Sequence, residues 1–369
     1  MKRLLLVLAL VLPAALPASV HAAGCSPLDC APTGSALGHG LFAVRPNGVT
    51  GAVAVDDLRT GRARWQLPAG ILDGTTLVHQ DSGDLTSLSW FDALTGRRVA
   101  TAQAHAQTVD YLVGASQDGS RAVLSFASKR RTELAIVSPR GQRTVTLRGT
   151  NWGFDALAGQ KLYLLRYLRN GYQVRLYDLA ANRLVARPLK DPRESSLIWG
   201  TAWARTSSRD GRYVFTLYVG QDGGAMVHEL DVRDATARCV DLPGDGDFNR
   251  GTSYTLQLSP DGRTLWAVSP GYGRAVGIDV ASARVRTAFR FHTDASADSP
   301  SATVSALSPD GRRIAFALAG RVWVLDTAHR RLVADRRRAA TALAFSPDGS
   351  RLWVAGGASG QVLRSLAVV

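Results

Sequence analysis

The sequence predicts an all-β protein built from one repeated antiparallel unit, and three observations lead to this prediction. The turn Ser-Pro-Asp-Gly occurs at residues 259–262, 308–311 and 346–349, and weaker copies lie at 116–119 and 207–211. Each of the three full copies is followed by arginine and a short apolar strand. A second turn, Asp-x-x-Thr-Gly, recurs between later strands. Asp, Pro and Gly at these positions are typical of tight turns between antiparallel strands.

The spacing of the turns predicts the architecture. The turn glycines, including those of the plainer Asp-Gly and Ala-Gly turns, are Gly74, Gly119, Gly159, Gly211, Gly262, Gly311 and Gly349. They recur at intervals of roughly 40 to 50 residues, a period typical of a β-propeller with four strands in each blade. A single sheet of this kind cannot bury both faces, so the blades are expected to stack around an axis.

One repeat illustrates the expected strands in order. Residues 314–318, 322–325, 331–334 and 341–345 are short and apolar, and Gly, Asp and Pro turns separate them. We expect these segments to form one four-stranded blade, whose last strand leads into the next Ser-Pro-Asp-Gly turn. In that turn Pro347 presets φ, Asp348 can bond to the backbone, and Gly349 supplies the positive φ.

Seven units are complete or nearly so, and we therefore expect seven blades, with eight as the alternative. We also expect the two chain ends to pair within one blade, because closure leaves only short, protected sheet edges. If the strands after the repeat turns are innermost, the third residue after each turn glycine faces the central channel. These residues are Leu77, Ala122, Leu162, Val214, Leu265, Ile314 and Leu352.

The patterns Ser-Pro-Asp-Gly-Arg-x-Leu-Trp-Val-Ala and Val-x-x-Ile-Asp-x-x-Thr-Gly resemble a known repeat family. They are similar to bacterial YVTN-type and WD-like propeller repeats, including those of the Tol-associated periplasmic propeller. No Trp-Asp dipeptide closes a repeat, unlike the eukaryotic WD pattern. The resemblance covers nearly all of the chain after its N-terminal segment. It implies a propeller and says little about function.

The N-terminus predicts export. Residues 1–23 read as a signal peptide, with Lys2 and Arg3 ahead of an apolar stretch and Ala22 and Ala23 at the cleavage site. Residues 24–37 are expected to form a flexible leader, and residues 38–369 the propeller. The segment before Cys25 resembles a lipoprotein processing site, although Ala22 stands where a larger aliphatic residue is usual. The expected location is extracellular, periplasmic or, if Cys25 is acylated, anchored to a membrane.

Three cysteines, Cys25, Cys30 and Cys239, leave two arrangements open. If Cys25 carries lipid, Cys30 and Cys239 remain as one disulfide pair. If it does not, Cys25 and Cys30 can close a small loop, with Cys239 buried and inert. The odd count in an oxidising compartment favours the Cys30–Cys239 disulfide.

The net charge of +14 does not predict a nucleic-acid partner. Almost all of the excess is arginine, in short clusters at expected hairpin turns, and no basic run is interleaved with aromatic residues. We expect a monomer whose partner is an unknown protein or cell-envelope component. Contact with a membrane is expected only if Cys25 is lipidated, although a basic exported protein can also associate with anionic envelope polymers or lipid headgroups.

One segment is a candidate metal site. Asp245, Asp247 and Asn249 alternate as in the first half of a calcium loop. Arg250 and Leu256 stand where that loop needs glycine and a bidentate glutamate, so a polar loop that uses Asp and Asn for turn bonding is the competing interpretation. Calcium is the one cofactor that the sequence suggests.

The sequence carries no nucleophile elbow and no phosphate-binding glycine loop. It therefore favours a non-catalytic propeller that acts as a protein- or envelope-binding scaffold. The alternative is a secreted enzyme of the lactonase or lyase type with a metal in the central channel, as the resemblance to propeller enzymes allows. Trp152, Phe154, Trp199 and Trp203 are candidates for a ligand-stacking cluster at the channel mouth, with packing between blades as the simpler interpretation.

Overall fold

The computed structural model describes residues 36–37, 42–46, 53–105, 111–128, 130–169, 171–191, 193, 198–244, 246–295, 303–356 and 362–367. Within them the chain forms eight antiparallel sheets, seven of four strands and one of three. Consecutive strands are neighbours in every sheet, so each sheet is a simple meander. The all-β propeller prediction is confirmed, and the sheets are called blades 1 to 8 in chain order.

The strands of blades 1 to 4 follow the chain without a crossover. Blade 1 has β1 (Ala36–Leu37), β2 (Phe42–Pro46), β3 (Val53–Asp57) and β4 (Arg62–Leu67). Blade 2 has β5 (Ile71–Asp73), β6 (Thr76–Gln80), β7 (Ser87–Asp92) and β8 (Arg97–Gln103). Blade 3 has β9 (Tyr111–Ala115), β10 (Ala122–Ala127), β11 (Arg131–Ser138) and β12 (Gly141–Arg148). Blade 4 has β13 (Trp152–Ala158), β14 (Lys161–Leu168), β15 (Gly171–Asp178) and β16 (Arg183–Leu184).

Blades 5 to 8 repeat the arrangement. Blade 5 has β17 (Thr201–Ser207), β18 (Tyr213–Val219), β19 (Ala225–Asp231) and β20 (Thr236–Leu242), followed by the short helix α1 (Phe248–Gly251). Blade 6 has β21 (Thr255–Leu258), β22 (Thr264–Ser269), β23 (Arg274–Asp279) and β24 (Arg284–Arg290). Blade 7 has β25 (Val304–Leu307), β26 (Arg313–Leu318), β27 (Arg321–Asp326) and β28 (Arg331–Arg337). Blade 8 has β29 (Ala342–Phe345), β30 (Arg351–Gly356) and β31 (Val362–Ala367). No helix among the described residues is long and apolar enough to cross a membrane.

The expectation of seven blades is wrong, and the alternative of eight is correct. The seven turn glycines belong to blades 2 to 8, where each lies between the first and second strands. Blade 1 was missed because the sequence between β1 and β2 is Gly-His-Gly-Leu, with no Ser-Pro-Asp. Its strands begin at Ala36, two residues before the propeller start expected from the sequence.

The assignment of strands to a blade also needs correction. The segment 341–345, predicted as the fourth strand of one blade, contains β29, the first strand of the next. Ala342 pairs with Ala355 and Phe345 with Leu352 across the turn that joins β29 and β30. The reason is that Ser-Pro-Asp-Gly closes a tight hairpin, so the strands on its two sides must lie in the same sheet.

The predicted pairing of the chain ends in one blade is not what the described residues show. β1 to β4 form blade 1, and β29 to β31 form blade 8. The ring is instead closed by packing between these two blades. Leu58, Ala344 and Trp353 form an apolar cluster across the junction, and the Trp353 indole Nε1 donates to the Leu58 carbonyl at 2.7 Å.

The core lies between neighbouring blades. The seven residues expected in the channel lie on second strands, where they are buried; Leu77, Leu265 and Leu352 are fully inaccessible. They pack against adjacent sheets, as Leu265 does in the cluster that joins blades 5 and 6. The innermost strands are the first ones, which approach one another around the axis. The second strands therefore supply the core, and the expectation that they face the channel is wrong.

The meander gives the ring two different faces. The first-to-second and third-to-fourth turns lie at one end of every complete blade, which we call the turn face. The second-to-third turns and the connections between blades lie at the other, the loop face. On the turn face, several turns between the third and fourth strands begin with Asp. The fifth residue of each of these turns has a positive φ, for example Gly61 at +67° and Asn182 at +51°. Glycine adopts this conformation without strain, which explains its presence at the end of the Asp-x-x-Thr-Gly turn.

Candidate functional site

Large apolar side chains are exposed on the loop face of blades 3, 4 and 5. They are Tyr111 (63% exposed), Tyr167 (48%), Leu168 (38%) and Trp199 (36%). Tyr111 begins β9, Tyr167 and Leu168 end β14, and Trp199 precedes β17, so all four lie where strands meet the loop face. We call these four residues the loop-face patch.

Tyr167 is held by hydrogen bonds and by ring contacts that lead into the core. Its amide donates to the Asn151 carbonyl at 2.8 Å, and the Asn151 side-chain amide donates to the Tyr167 carbonyl at 2.7 Å. Its ring contacts the edge of Tyr172 at 6.2 Å between centroids, and Tyr172 contacts buried Tyr218 at 5.0 Å. A Cβ at Gly153 would lie 2.6 Å from the Tyr167 hydroxyl, so this position accommodates only glycine without movement.

Trp199 rests on the hairpin between β18 and β19. A Cβ on Gly220 or Gly224 would overlap its indole ring. The hairpin is closed by the Gly220 amide, which donates to the Gly224 carbonyl at 2.8 Å. Ile198, next to Trp199, pairs with Tyr172 of blade 4. The backbone therefore fixes Trp199 between blades 4 and 5 while its ring stays partly accessible.

The other three aromatic candidates from the sequence are packed. Trp152 is 9% exposed, and its indole Nε1 donates to the Arg148 carbonyl at 2.9 Å. Phe154 lies against Gly114, where a Cβ would collide with its ring. Trp203 meets the edge of Phe248 at 6.4 Å. Sequence analysis thus found one patch residue, Trp199. It missed Tyr111, Tyr167 and Leu168, because their sequence context is that of ordinary strand residues. The one feature of the sequence that could have indicated their exposure was their position at the ends of predicted strands.

Polar side chains on the first strands link neighbouring blades around the channel. The Thr255 and Ser305 hydroxyls are 2.7 Å apart, and the Gln257 amide donates to the Ser305 hydroxyl at 2.9 Å. Between blades 4 and 5, the Arg205 guanidinium is 3.3 Å from the buried Asp155 carboxylate. These contacts place hydrogen-bonding side chains between blades 4 and 5 and between blades 6 and 7, where the sequence predicted an apolar channel wall.

Asp73 is the most perturbed carboxyl group near the axis. It ends β5 at the turn face and is half-buried. Burial raises its pKa to about 7, the Arg205 charge acts to lower it, and the Asp118 charge raises it further. The group therefore exists in both protonation states near neutral pH.

The calcium candidate is only partly described. Asp247 caps the N-terminus of α1: its Oδ1 accepts from the Asn249 amide at 2.9 Å and from the Arg250 amide at 3.3 Å. The Arg250 guanidinium lies 3.7 Å from the same carboxylate. Asp245 falls outside the described residues. Within the part that is described, no group of three or more His, Cys, Asp or Glu side chains can hold a metal, and calcium binding here stays a prediction.

Cys239 lies on β20 and is 8% exposed. Its sulfur is 3.7 Å from Nδ1 of His228, and its amide donates to the Asp191 carboxylate at 2.9 Å. Cys25, Cys30 and the signal segment fall outside the described residues. The Cys30–Cys239 disulfide and the lipidation of Cys25 stay predictions.

No protein-family model matches the chain, and no curated protein shows significant sequence similarity to it. Solved structures do share its architecture. AztD from Citrobacter koseri is 15% identical with a TM-score of 0.53, over 84% of this chain and 85% of that one. Its apo form is 15% identical with a TM-score of 0.54, over 84% and 86%. The Dos1 propeller is 11% identical with a TM-score of 0.50, over 89% and 90%. At these identities the similarity shows the β-propeller fold alone.

Proposed function

We propose that this chain is an exported, non-catalytic β-propeller that binds a protein or another cell-envelope component through the loop-face patch. The observation that carries the proposal is the exposure of Tyr111, Tyr167, Leu168 and Trp199 on three neighbouring blades. Large apolar side chains that are exposed on one face of a protein are typical of interaction sites, and Tyr and Trp dominate the binding energy of many interfaces.

The support beneath the patch favours binding. Tyr167 is braced by Tyr172 and Tyr218, and Trp199 rests on a glycine hairpin. Side chains that are already held in place lose little conformational entropy when a partner docks. A rigid aromatic surface of this kind suits a partner that is itself folded.

The two faces of the ring differ in a way that favours the loop face. Turn-face loops are short and close on their own hydrogen bonds, as at Gly311, whose amide donates to the Ser308 carbonyl at 2.9 Å. The connections between blades on the loop face differ more in length, from the three residues that separate β4 and β5 to the sixteen that separate β16 and β17. Binding residues are commonly carried by variable loops on a rigid scaffold.

The cellular setting is part of the proposal and rests on the sequence. Residues 1–23 have the pattern of a signal peptide, and the repeats resemble YVTN-type and WD-like repeats of bacterial envelope propellers. The full chain has a net charge of +14, and the positive charge that remains after removal of Lys2 and Arg3 with the signal peptide suits an environment of anionic polymers and headgroups.

The patch can be tested with mature protein immobilised on a resin and incubated with a cell-envelope fraction. We expect the resin to retain a component, which is then purified. Its affinity should be at least about tenfold lower for the double variant Tyr167→Ser, Trp199→Ser than for the wild type. The reason is that each aromatic side chain buried at an interface is worth more than about 1 kcal/mol. The matched control is Val99→Ser, Val285→Ser, which changes exposed apolar residues on outer strands β8 and β24. Equal retention by both double variants, or no retained component, would contradict the proposal.

A further inference from the structure

A groove of about 630 Å³ lies between blades 3 and 4. Arg148, Asn151, Trp152, Arg166, Asn182 and Arg183 are among the residues that line it. The groove exists because β16, the outer strand of blade 4, has only two residues, whereas the other described fourth strands have six to eight. We call it the blade 3–4 groove.

The groove is basic. Arg148, Arg166 and Arg183 line it, and none of its lining residues is acidic. Arg175 lies on the same face of blade 4 as Arg166. Arg175 pairs with Leu164, and Leu164 is two residues from Arg166 on β14, so all three side chains are on one face; Arg166 itself pairs with Gln173. That face packs against blade 3 through Leu164. Arg175 is only 7% exposed.

The guanidinium groups of Arg166 and Arg175 each have an N–H donor without a hydrogen-bond partner in the described part of the chain. The Arg175 guanidinium donates to the Val185 and Ala186 carbonyls at 2.9 and 3.1 Å, and Arg166 lies over the Trp152 ring at 5.6 Å. The Nε atoms of both arginines are buried and have no hydrogen-bond partner within the described part of the chain. Burial, and then the charge of Arg166, lower the pKa of Arg175. Buried cationic donors normally require an acceptor, and the described part of the chain supplies none to these two Nε atoms.

We propose that the blade 3–4 groove binds a small ligand through a phosphate or carboxylate group. Arg148, Arg166 and Arg183 line the groove, and a planar guanidinium can donate two parallel hydrogen bonds to two oxygens of such a group. Phosphate esters and carboxylic acids share this chemistry. The volume of the groove exceeds that of the oxyanion, so the ligand carries a further part comparable to a sugar ring. The groove adjoins the loop-face patch, since Asn151 lines the groove and bonds to the Tyr167 backbone, but the anion proposal does not depend on the function of the patch.

Calorimetric titration of the mature protein tests the proposal with four probes: inorganic phosphate, glucose 6-phosphate, glucuronate and neutral glucose. We expect saturable binding of at least one anion, weakened by sodium chloride, and none of glucose. Binding of the phosphates alone assigns a phosphoryl group to the ligand, and binding of glucuronate alone assigns a carboxylate. Either result supports the proposal that the groove binds a phosphate or carboxylate group.

Three substitutions separate binding in this groove from general charge attraction. We expect Arg166→Gln to weaken binding of the anion at least about tenfold, because it removes a charged hydrogen-bond donor. Arg98→Gln removes the same charge from an exposed position on β8 and should leave the affinity unchanged. Arg148→Gln serves as a second groove variant, and thermal melting checks that each variant is folded. No saturable binding of any anion, or equal weakening by Arg98→Gln and Arg166→Gln, would overturn the proposal.

Discussion

Asp73 links the protonation of one side chain to the stability of the ring. Its pKa in the folded protein is about 7, above the ordinary value of 3.8, chiefly because of burial. Between these two values the folded state binds more protons at this site than the unfolded state does. The contribution of Asp73 to the free energy of unfolding therefore falls as pH rises through this window.

Replacing Asp73 by Asn removes this titration. We expect the free energy of unfolding of Asp73→Asn, relative to the wild type, to be higher at about pH 8 than at about pH 5. Urea unfolding of both proteins at both pH values measures the difference. Burial also raises the pKa of Glu229 to about 7. Because Glu229 is present in both proteins, its contribution cancels from the difference in unfolding free energy. Asp241→Asn, at an exposed carboxyl on β20, is the matched control and should show no such trend. A pH-independent difference for Asp73→Asn would refute the assignment.

At the scale of the element, the repeat turn depends on a buried serine. The Ser308 hydroxyl donates to the Asp310 carboxylate at 2.6 Å and accepts from the Arg313 amide at 2.8 Å. The Asp310 carboxylate also accepts from the Arg312 amide at 3.0 Å. Corresponding Ser–Asp bonds occur in the turns of blades 3, 5, 6 and 8. The four-residue motif therefore supplies side chains whose hydrogen bonds close its own turn.

Ser308→Ala should lower the free energy of unfolding by about 1–2 kcal/mol, because the Arg313 amide loses the hydrogen bond to the buried Ser308 hydroxyl. Chemical denaturation measures the change. Ser365→Ala, on the exposed side of β31, is the matched control and should change stability by less than about 0.5 kcal/mol. A Ser308→Ala protein as stable as the control would show that the turn does not need the hydroxyl.

The same turn explains how far the sequence predicts the fold. Bonds within Ser-Pro-Asp-Gly join residues close in sequence, so the motif predicts hairpins wherever it occurs. Blade 1 lacks the motif, and its only predicted turn was the Asp-x-x-Thr-Gly hairpin that joins β3 and β4. Only Trp199 of the loop-face patch was a candidate from the sequence, because the exposure of residues such as Tyr167 depends on which blades surround them. The blade 3–4 groove escaped prediction for a similar reason: it requires the shortened β16 and the pairing register of Arg175.

At the scale of the whole molecule, stability is distributed over the interfaces between neighbouring blades. Seven of the eight junctions are crossed by the chain, which limits how far the two blades can separate. The eighth, between blades 8 and 1, is held by non-covalent contacts alone among the described residues. Trp353 is the main side chain there, with its ring against Gly61 and its Nε1 bonded to Leu58.

Trp353→Ala should open this junction. Trp266 occupies the corresponding position in blade 6, directly after a buried leucine on the second strand, and is equally exposed at 8%. Trp266→Ala is therefore the matched control. Removing either ring should cost about 3–5 kcal/mol of unfolding free energy. Only Trp353→Ala should let the first and last blades fray, because only their junction lacks a covalent connection.

Hydrogen exchange measured by mass spectrometry distinguishes the two variants. In Trp353→Ala we expect faster amide exchange in β3, β4, β29 and β30 than in the wild type, and earlier proteolytic cleavage near both chain ends. In Trp266→Ala faster exchange should be confined to blades 6 and 7, whose apolar cluster contains the residue. If both variants exchange equally at blades 1 and 8, contacts other than Trp353 hold the ring closed, and this indole only fills space at the junction.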